Sequence, residues 1–174
     1  MDEDLDEFAS FVTSSSAALF RLAGLLTGGD AHAAQDLLQE AFGETYLRWH
    51  RIREPEARAS YTRRILVRAA TRRWKRVVAE GLHLAAHPSN DFVPGHADLV
   101  DAQQDLWMVL GELSARQRAV VVLRYYEGLT EAQTAELLGC SVGAVKSHAS
   151  RALRSMRQGL GGPEYFKGEA EGTP

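Results

Sequence analysis

Apolar residues recur at three- and four-residue steps along most of the chain, a spacing typical of amphipathic helices. In residues 6–26, for example, Phe8, Phe11, Leu19 and Leu22 share one face. No segment alternates convincingly between apolar and polar residues, as a half-buried strand does. We therefore predict an all-α protein, with helices at about residues 6–26, 31–49, 57–78, 99–113, 115–127, 131–138 and 142–158.

Glycine and proline divide this pattern into segments. Gly28 and Gly29 end the first helix, Asp30 is a good N-cap for the second, and Pro55 marks the loop before the third. The stretch 83–96 is rich in Pro, Ser, Asn and Gly and has little periodicity. We expect two small helical domains joined by a flexible linker. The expected boundaries are 5–78 and 103–160 for the domains, 79–102 for the linker and 161–174 for a loose tail.

Composition argues against several classes of protein. The chain has 174 residues, 45% of them hydrophobic, which suffices for one ordinary core or two small ones. It has no run of about eighteen apolar residues, and its acidic start is unlike a signal peptide. These features predict a cytoplasmic protein without membrane insertion. The lone Cys140 cannot form an internal disulfide, and we expect a small, half-buried turn residue there.

The net charge of −3 argues at first against a nucleic-acid ligand, but the charges are unevenly distributed. Acidic residues crowd the first seven positions, whereas Arg51–Arg76 contains ten Lys and Arg and only two Glu. The stretch Ser141–Leu160 has four Lys and Arg and no acid. Two separate basic patches suggest two contacts with a polyanion, although basic runs are often only solvated faces.

Residues 130–154 have the pattern of a helix-turn-helix. Thr130 can cap a short helix, Gly139 supplies the turn, and Ser141 can cap the helix that follows. Helical winding then gives this last helix an apolar side, made of Val142, Val145, Ala149, Ala152, Leu153 and Met156. The opposite side carries Gly143, Ala144, Ser147, His148, Arg151 and Arg154, with Lys146 and Ser150 at its margins.

This opposite side has the chemistry of a recognition helix. Small residues at its start permit close approach to the major groove, Ser and His can hydrogen bond to base edges, and Arg can hold guanine through two hydrogen bonds. Lys146 and Arg154 are better placed to contact phosphates. The alternative is an ordinary amphipathic helix with a solvated face. The tight turn, the cap and the lack of acidic residues disfavour that alternative.

The predicted third helix carries a second basic surface. Helical winding brings four cations and one aromatic residue into a narrow stripe, namely Arg64, Arg68, Arg72, Lys75 and Tyr61. A row of cations can follow a phosphate backbone while an aromatic ring stacks on an unpaired base, so the stripe suits separated DNA strands. Tyr61 could instead be a plain core residue, because the chain bends after Pro55.

Four short motifs resemble, in order, those of extracytoplasmic-function (ECF) RNA polymerase sigma factors. They are Asp36–Phe42 (DLLQEAF), Leu113–Arg118 (LSARQR), Leu123–Leu129 (LRYYEGL) and Gly139–Ser147 (GCSVGAVKS). The short chain and its RILVRAATRRWKR stretch are similar to actinobacterial SigE-family members. The resemblance covers roughly residues 5–78 and 103–159. It implies a sigma domain two-like helical bundle followed by a C-terminal helix-turn-helix domain.

The resemblance also implies a role for each half of the chain. Asp36, Gln39 and Glu40 match positions that bind core RNA polymerase. The loop 50–57 and the helix from about Tyr61 match the part that captures the melted minus-ten strand. The positions that match the minus-thirty-five reading helix are Lys146, Ser147, His148, Ser150 and Arg151. The implied partners are core RNA polymerase and promoter DNA, and an anti-sigma factor is common in the family.

Three residues depart from the family pattern. Arg68 stands where Asn is common, Ala144 replaces a common Thr, and His148 replaces a position often occupied by Arg. These departures leave the class of protein intact and the promoter sequence open.

Two other functions compete with a sigma factor. A free-standing helix-turn-helix regulator shares the recognition-helix pattern, but the chain shows no receiver pattern, and that function leaves the stripe on the third helix unexplained. A metal enzyme or small hydrolase is the other, with His83, His87, His96, Asp91 and Asp98 as conceivable ligands. Their spacing fits no familiar metal-ligand motif, so we expect no metal, cofactor or catalytic residue and no enzymatic activity.

Overall fold

A computed structural model describes residues 2–79 and 100–159 of the chain. Its helices are α1 (Asp2–Thr27), α2 (Ala31–Tyr46), α3 (Pro55–Ala79), α4 (Val100–Glu112), α5 (Ala115–Val121), α6 (Glu131–Leu138) and α7 (Val142–Gly159). A 3-10 turn at Trp49–Arg51 precedes α3, and a π-helical turn at Val122–Tyr126 follows α5. These two ranges contain no strand, and the prediction of an all-α fold is confirmed.

Local sequence signals set several helix ends. The side chain of Asp30 accepts a hydrogen bond from a backbone N–H in the first turn of α2 at 2.9 Å. At α6, Thr130 and Gln133 cap each other's backbone N–H groups at 3.2 and 2.8 Å, a reciprocal capping box. Gly139 ends α6 at a φ of 62°, in the left-handed region, and Ser141 accepts from an N–H of α7 at 3.1 Å. The predicted caps at Asp30, Thr130 and Ser141 are confirmed.

Two local expectations need correction. Pro55 is the first residue of α3 and not part of the loop ahead of it, because proline fits the first helical turn, where the N–H has no intrahelical acceptor. Cys140, expected to be half-buried, is exposed in the turn between α6 and α7. The linker histidines considered for metal binding and the proposed tail lie outside the described residues.

Helices α1, α2 and α3 pack into an N-terminal bundle. Its core includes Leu22 of α1, Leu37 of α2 and Leu66 of α3, each almost fully buried. One end of the bundle is filled by an aromatic cluster, formed by Phe8, Phe11, Phe42, Tyr46 and Trp49, with ring centroids 4.9–6.4 Å apart. The aromatic cluster ties the start of α1 to the end of α2 and to the 3-10 turn.

The C-terminal bundle comprises α4 to α7. Helix α7 buries Val145, Ala152 and Met156, and it packs mainly against α5 and α6. Leu110 of α4 and Leu123 of the π-helical turn complete the same core. The α6–α7 helix-turn-helix is therefore packed onto the core through one side of α7, and the opposite side faces solvent.

The two bundles also pack against each other and share one apolar core. Arg118 is only 2% exposed, and it donates to the carbonyls of Leu26 at the end of α1 and Leu110 of α4, each at 3.1 Å. Arg63 of α3 pairs with Glu127 at 2.8 Å. Burial raises the pKa of Glu127, and the charge of Arg63 opposes that rise. We call this arrangement the interbundle contact; the sequence did not predict it.

Helix α1 is long and apolar enough over Asp4–Thr27 to cross a membrane, with a mean hydropathy of 1.3. The absence of an uninterrupted apolar run therefore does not by itself show whether α1 spans a membrane. Core helices of soluble proteins meet the same criterion. Here one face of α1, with Leu19, Leu22 and Leu26, is buried in the shared core, as expected of a core helix.

Candidate nucleic-acid and polymerase interfaces

Helix α7 presents the predicted minus-thirty-five residues on the side away from the core. Four of them are exposed: Lys146, Ser150, Arg151 and Arg154. Ser147 and His148 are half-buried, nearer the flank of the helix than the winding predicted. Val142, placed on the apolar side by its periodicity, is 39% exposed because it is the first residue of the helix. The outer surface of α7 is therefore basic and free of acidic residues.

Two of these side chains have partners within the protein. Arg151 donates from Nη2 to the Ser147 hydroxyl at 2.7 Å, one turn earlier on α7. The Lys146 ammonium lies 3.5 Å from the Glu131 carboxylate of α6, and both groups are solvent-exposed. Exposed pairs of this kind contribute about 1 kcal/mol or less. A DNA ligand could therefore take over either side chain at little cost.

His148, which the sequence predicts to read DNA, has a partly desolvated imidazole. Its Nδ1 is buried and has no hydrogen-bond partner in the described part of the chain. Desolvation lowers the pKa of His148, and the positive charges of Arg151 and Arg116 lower it further. The imidazole is therefore neutral at pH 7. Since a proton on Nδ1 would be buried without an acceptor, the neutral ring is better protonated at Nε2.

Helix α3 separates its two surfaces as predicted. Arg64, Arg68, Arg72 and Lys75 are exposed, while the opposite face is buried through Ile65, Leu66, Val67, Ala69 and Trp74. Tyr61 is half-buried and packs against the core, so its ring is partly a core residue and partly a surface one. The four cations thus form a continuous exposed track beside a partly accessible aromatic ring.

The C-terminal bundle lies close to both ends of this cationic track. Arg64 lines a cleft between α3 and α6, together with Arg63, Glu127 and Glu136. At the other end, a Cβ added to Gly139 would lie 3.9 Å from the Lys75 ammonium. The interbundle contact therefore narrows the space in which a DNA strand could follow α3.

The predicted polymerase-binding residues lie together on α2. Asp36, Gln39 and Glu40 are all exposed, and Glu40 accepts a hydrogen bond from Arg72 at 2.5 Å. Asp36 lies 4.0 Å from Arg73, at the limit of an ion pair. Asp36 and Glu40, the acids predicted to bind polymerase, therefore lie directly beside the cationic track on α3, and helical winding of single segments could not show this proximity.

Sequence reasoning missed the residues that support the loop between α2 and α3. In the sequence, Arg58 is one more cation in a basic run. In the structure its side chain is only 12% exposed, and its guanidinium lies over the Trp49 ring, 4.0 Å from the centroid. Its partner is Glu7, fifty-one positions earlier in the chain. The acidic crowding of the first seven residues was the available signal, and the sequence did not show which cation it would meet.

The described residues can also be compared with the requirements of a metal site. They contain no group of three or more His, Cys, Asp and Glu side chains close enough to hold a metal ion. The surfaces described above are a basic helix in a helix-turn-helix, a basic helix beside an aromatic residue, and an acidic helix face.

Comparison with known proteins identifies the family. Residues 11–78 match the family described as Sigma-70 region 2, and residues 103–156 match Sigma-70, region 4. The chain is 38% identical over 157 residues to the RNA polymerase sigma-E factor of Streptomyces coelicolor, covering 88% of this chain and 86% of that one. It is 36% identical over 166 residues to the ECF RNA polymerase sigma factor SigL of Mycobacterium tuberculosis, covering 84% and 86%.

A solved structure has the same fold. The sigma factor RpoE from Bartonella quintana, crystallised with the anti-sigma factor NepR, superposes with a TM-score of 0.61 at 24% identity, covering 89% of this chain and 97% of that one. The predicted pair of helical domains is thereby confirmed. A free-standing helix-turn-helix regulator is not supported, because both sigma regions are present in order. The chain belongs to the sigma-70 family, as one of its extracytoplasmic-function sigma factors.

Proposed function

We propose that this sigma factor brings core RNA polymerase to its promoters through two DNA-binding helices, and that it acts in the cytoplasm without catalytic activity of its own. The domain at residues 5–78 docks on polymerase and holds the minus-ten strand. The domain at 103–160 reads the minus-thirty-five duplex. The observation that carries this proposal is the acid-free outer side of α7, whose opposite side packs into the core through Val145, Ala152 and Met156.

The upstream contact is made by α7. Arg151 is the best candidate for bidentate hydrogen bonds to guanine, because it is exposed and, among the described residues, its side chain hydrogen bonds to the nearby Ser147 hydroxyl. His148 can donate a hydrogen bond from Nε2 to an acceptor on a base edge. An Arg at that position would also donate, but from a charged group. Lys146, Ser150 and Arg154 complete the surface, with the two cations toward phosphates.

The downstream contact is made by the track on α3. Arg64, Arg68, Arg72 and Lys75 follow the backbone of the unpaired strand, and Tyr61 offers part of its ring for stacking. Each stacked base is worth about 1–3 kcal/mol, which favours the opened strand over the duplex. The polymerase performs all chemistry, and the sigma factor supplies the promoter address and captures the strand.

Docking on polymerase is assigned to Asp36, Gln39 and Glu40 of α2. Because Glu40 also pairs with Arg72, a polymerase group that takes over Glu40 would remove the shorter of the two ion pairs of Arg72 with α2 and leave the one with Glu44 at 3.5 Å, which makes Arg72 more available to DNA. The two events are therefore expected to favour each other. An anti-sigma factor is a further proposed partner, as for the sigma factor from Bartonella quintana.

The test combines the purified protein with core polymerase and maps transcription starts on a genomic promoter library. A stable complex that starts at defined positions supports the proposal and yields the promoter sequence. Glu40→Lys should weaken core binding, because it reverses a charge on the docking face without disturbing the buried core. Arg157→Ala, an exposed charge change on α7, serves as the control. Normal core binding by Glu40→Lys would refute the docking assignment.

A further inference from the structure

The first turns of α1 reach the loop that leads into the minus-ten helix. Glu7 accepts two hydrogen bonds from the guanidinium of Arg58, at 2.5 and 3.1 Å, in the parallel fork geometry that arginine and carboxylate favour. The hydrogen bond from Arg58 is the main reason that the pKa of Glu7 lies below its usual range. The Glu7 carboxyl group is therefore ionised at neutral pH. The pair joins the start of the chain to the first turns of α3.

Arg58, held by Glu7, also contacts the loop between α2 and α3. Its guanidinium lies over the ring of Trp49, 4.0 Å from the centroid, and its Nε donates to the Ile52 carbonyl at 3.4 Å. Trp49 opens the 3-10 turn, and Ile52 directly follows it. One arginine thus contacts both ends of the turn. Its position depends on Glu7, because the fork leaves the guanidinium little freedom to rotate.

Phe8 supports the same turn from the other side. Its ring centroid lies 5.0 Å from that of Trp49 and 4.9 Å from that of Tyr46. Phe11 also contacts Trp49, at 5.2 Å. The indole of Trp49, only 2% exposed, is therefore enclosed between Arg58 and two phenylalanines of α1. Two consecutive residues of α1 therefore hold Trp49 from opposite sides: Glu7 acts through Arg58, and Phe8 contacts the indole directly.

The supported loop itself is cationic and open to solvent. Arg48, His50, Arg51 and Arg53 are all exposed, and they lead directly into the cationic track on α3. Four mobile side chains on a loose loop would lose conformational entropy whenever they bind a strand, whereas a fixed backbone reduces that loss. The contacts of Arg58, Phe8 and Phe11 with Trp49 therefore matter for binding, because they fix the backbone from which these cations project.

We propose that Glu7, through its fork with Arg58, is a positioning residue for capture of the minus-ten strand. This inference rests on the proposed role of α3 and the preceding loop. Glu7 does not contact DNA; it holds the 3-10 turn in the conformation that presents the loop cations beside the track. The acidic start of the chain, which simple electrostatics would count against DNA binding, thus contributes to it at this one position.

The sign of the effect separates positioning from electrostatics. Removing a negative charge near a DNA-binding surface should strengthen phosphate binding slightly if charge alone matters. Removing the fork should weaken strand binding if Glu7 positions the loop. Asp6→Asn measures the first effect alone, because Asp6 is exposed and makes no ion pair among the described residues. Glu7→Gln makes the same change of charge one residue later and also breaks the fork.

The experiment uses the complex with core polymerase and a fluorescent single-stranded oligonucleotide carrying the minus-ten region of a promoter from which that complex initiates. We expect Glu7→Gln to bind the oligonucleotide about three- to fivefold more weakly than Asp6→Asn, the range that loss of one exposed ion pair allows. Affinities for core polymerase and for the upstream duplex should stay unchanged. Oligonucleotide binding by Glu7→Gln that equals or exceeds that of Asp6→Asn would overturn the inference.

Two further variants separate the possible failures. Phe8→Leu keeps an apolar side chain but removes an aromatic contact with Trp49, so it should reproduce the loss in strand binding by a second route. Arg64→Ala combined with Lys75→Ala tests the track itself. If that double variant weakens strand binding and Glu7→Gln does not, only the positioning role fails. If the double variant binds the strand normally, the proposed function of α3 fails as well.

Discussion

The buried guanidinium of Arg118 yields a sharp prediction about stability. It lies 2% exposed between the two bundles, and no carboxylate accompanies it in the described structure. Instead it donates to the carbonyls of Leu26 and Leu110 at 3.1 Å, and to that of Leu113 at 3.5 Å. Arg118→Met keeps most of the aliphatic volume and removes the charge together with all three hydrogen bonds.

Two opposing terms set the size of the effect. Burial lowers the pKa of Arg118 to about 10, which leaves it protonated at neutral pH. The drop from 12.5 corresponds to a desolvation cost of about 3 kcal/mol, which the methionine variant would recover. Against this, each buried carbonyl that loses its donor costs about 1–3 kcal/mol, and lost charge-assisted bonds lie at the upper end. Three such losses amount to about 6–9 kcal/mol, so after the recovered desolvation we expect Arg118→Met to lower the free energy of unfolding by about 3–6 kcal/mol.

Urea unfolding followed by far-UV circular dichroism measures this difference directly. Arg116→Met is the matched control, because Arg116 is exposed and its guanidinium lies over the Trp74 ring, 4.7 Å from the centroid. A cation–π contact at such a site is worth about 0.5–1 kcal/mol. The reasoning is wrong if Arg118→Met costs no more than Arg116→Met, since the desolvation term would then cancel the three hydrogen bonds.

Two other predictions concern α7. Because the pKa of His148 is lowered in the folded protein, the unfolded chain binds a proton first as the pH falls below about 6.5, so folding stability decreases between that pH and the lower folded-state pKa. His148→Gln should flatten this part of the pH profile of the urea midpoint; an unchanged slope would show that another group titrates. Arg151→Ala should weaken binding to the upstream duplex by about 1–3 kcal/mol and relax preference at one base pair, whereas Arg157→Ala should not relax it. Equal loss at every sequence, measured by fluorescence anisotropy, would make Arg151 a phosphate contact.

Helical periodicity and capping chemistry were enough to predict most of each bundle. The winding of α7 correctly placed Val145, Ala152 and Met156 in the core, because one face of an amphipathic helix must be covered. The caps at Thr130 and Ser141 follow from side chains that satisfy free N–H groups locally. These are short-range effects, so a single sequence contains them.

The contacts between helices were beyond such reasoning. Periodicity shows that a face is covered but does not show by which element, so Arg118, in the polar LSARQR motif, could not be paired with Leu26 ninety-two positions earlier. The fork between Glu7 and Arg58 is hidden for the same reason. His148 lies on α7 as predicted, but the effect of the Arg116 charge on its pKa and the packing of α5 against α7 involve a second helix, which winding one helix cannot include.

The interbundle contact is expected to lower the apparent affinity of the sigma factor for promoters, because it favours a state in which the two bundles are not separated. Arg63 and Glu127 are 2.8 Å apart, whereas the two proposed promoter elements are separated by about 25 base pairs, or about 85 Å of duplex. If α3 and α7 bind these elements at the same time, as proposed, the contact must open, and only the separated fraction of molecules would then be competent for promoter binding. The apparent affinity is reduced by that fraction, and each 1.4 kcal/mol in the contact changes it about tenfold. A substitution such as Arg118→Met, which touches no DNA, should therefore raise occupancy at every promoter by the same factor and leave the preferred sequence unchanged.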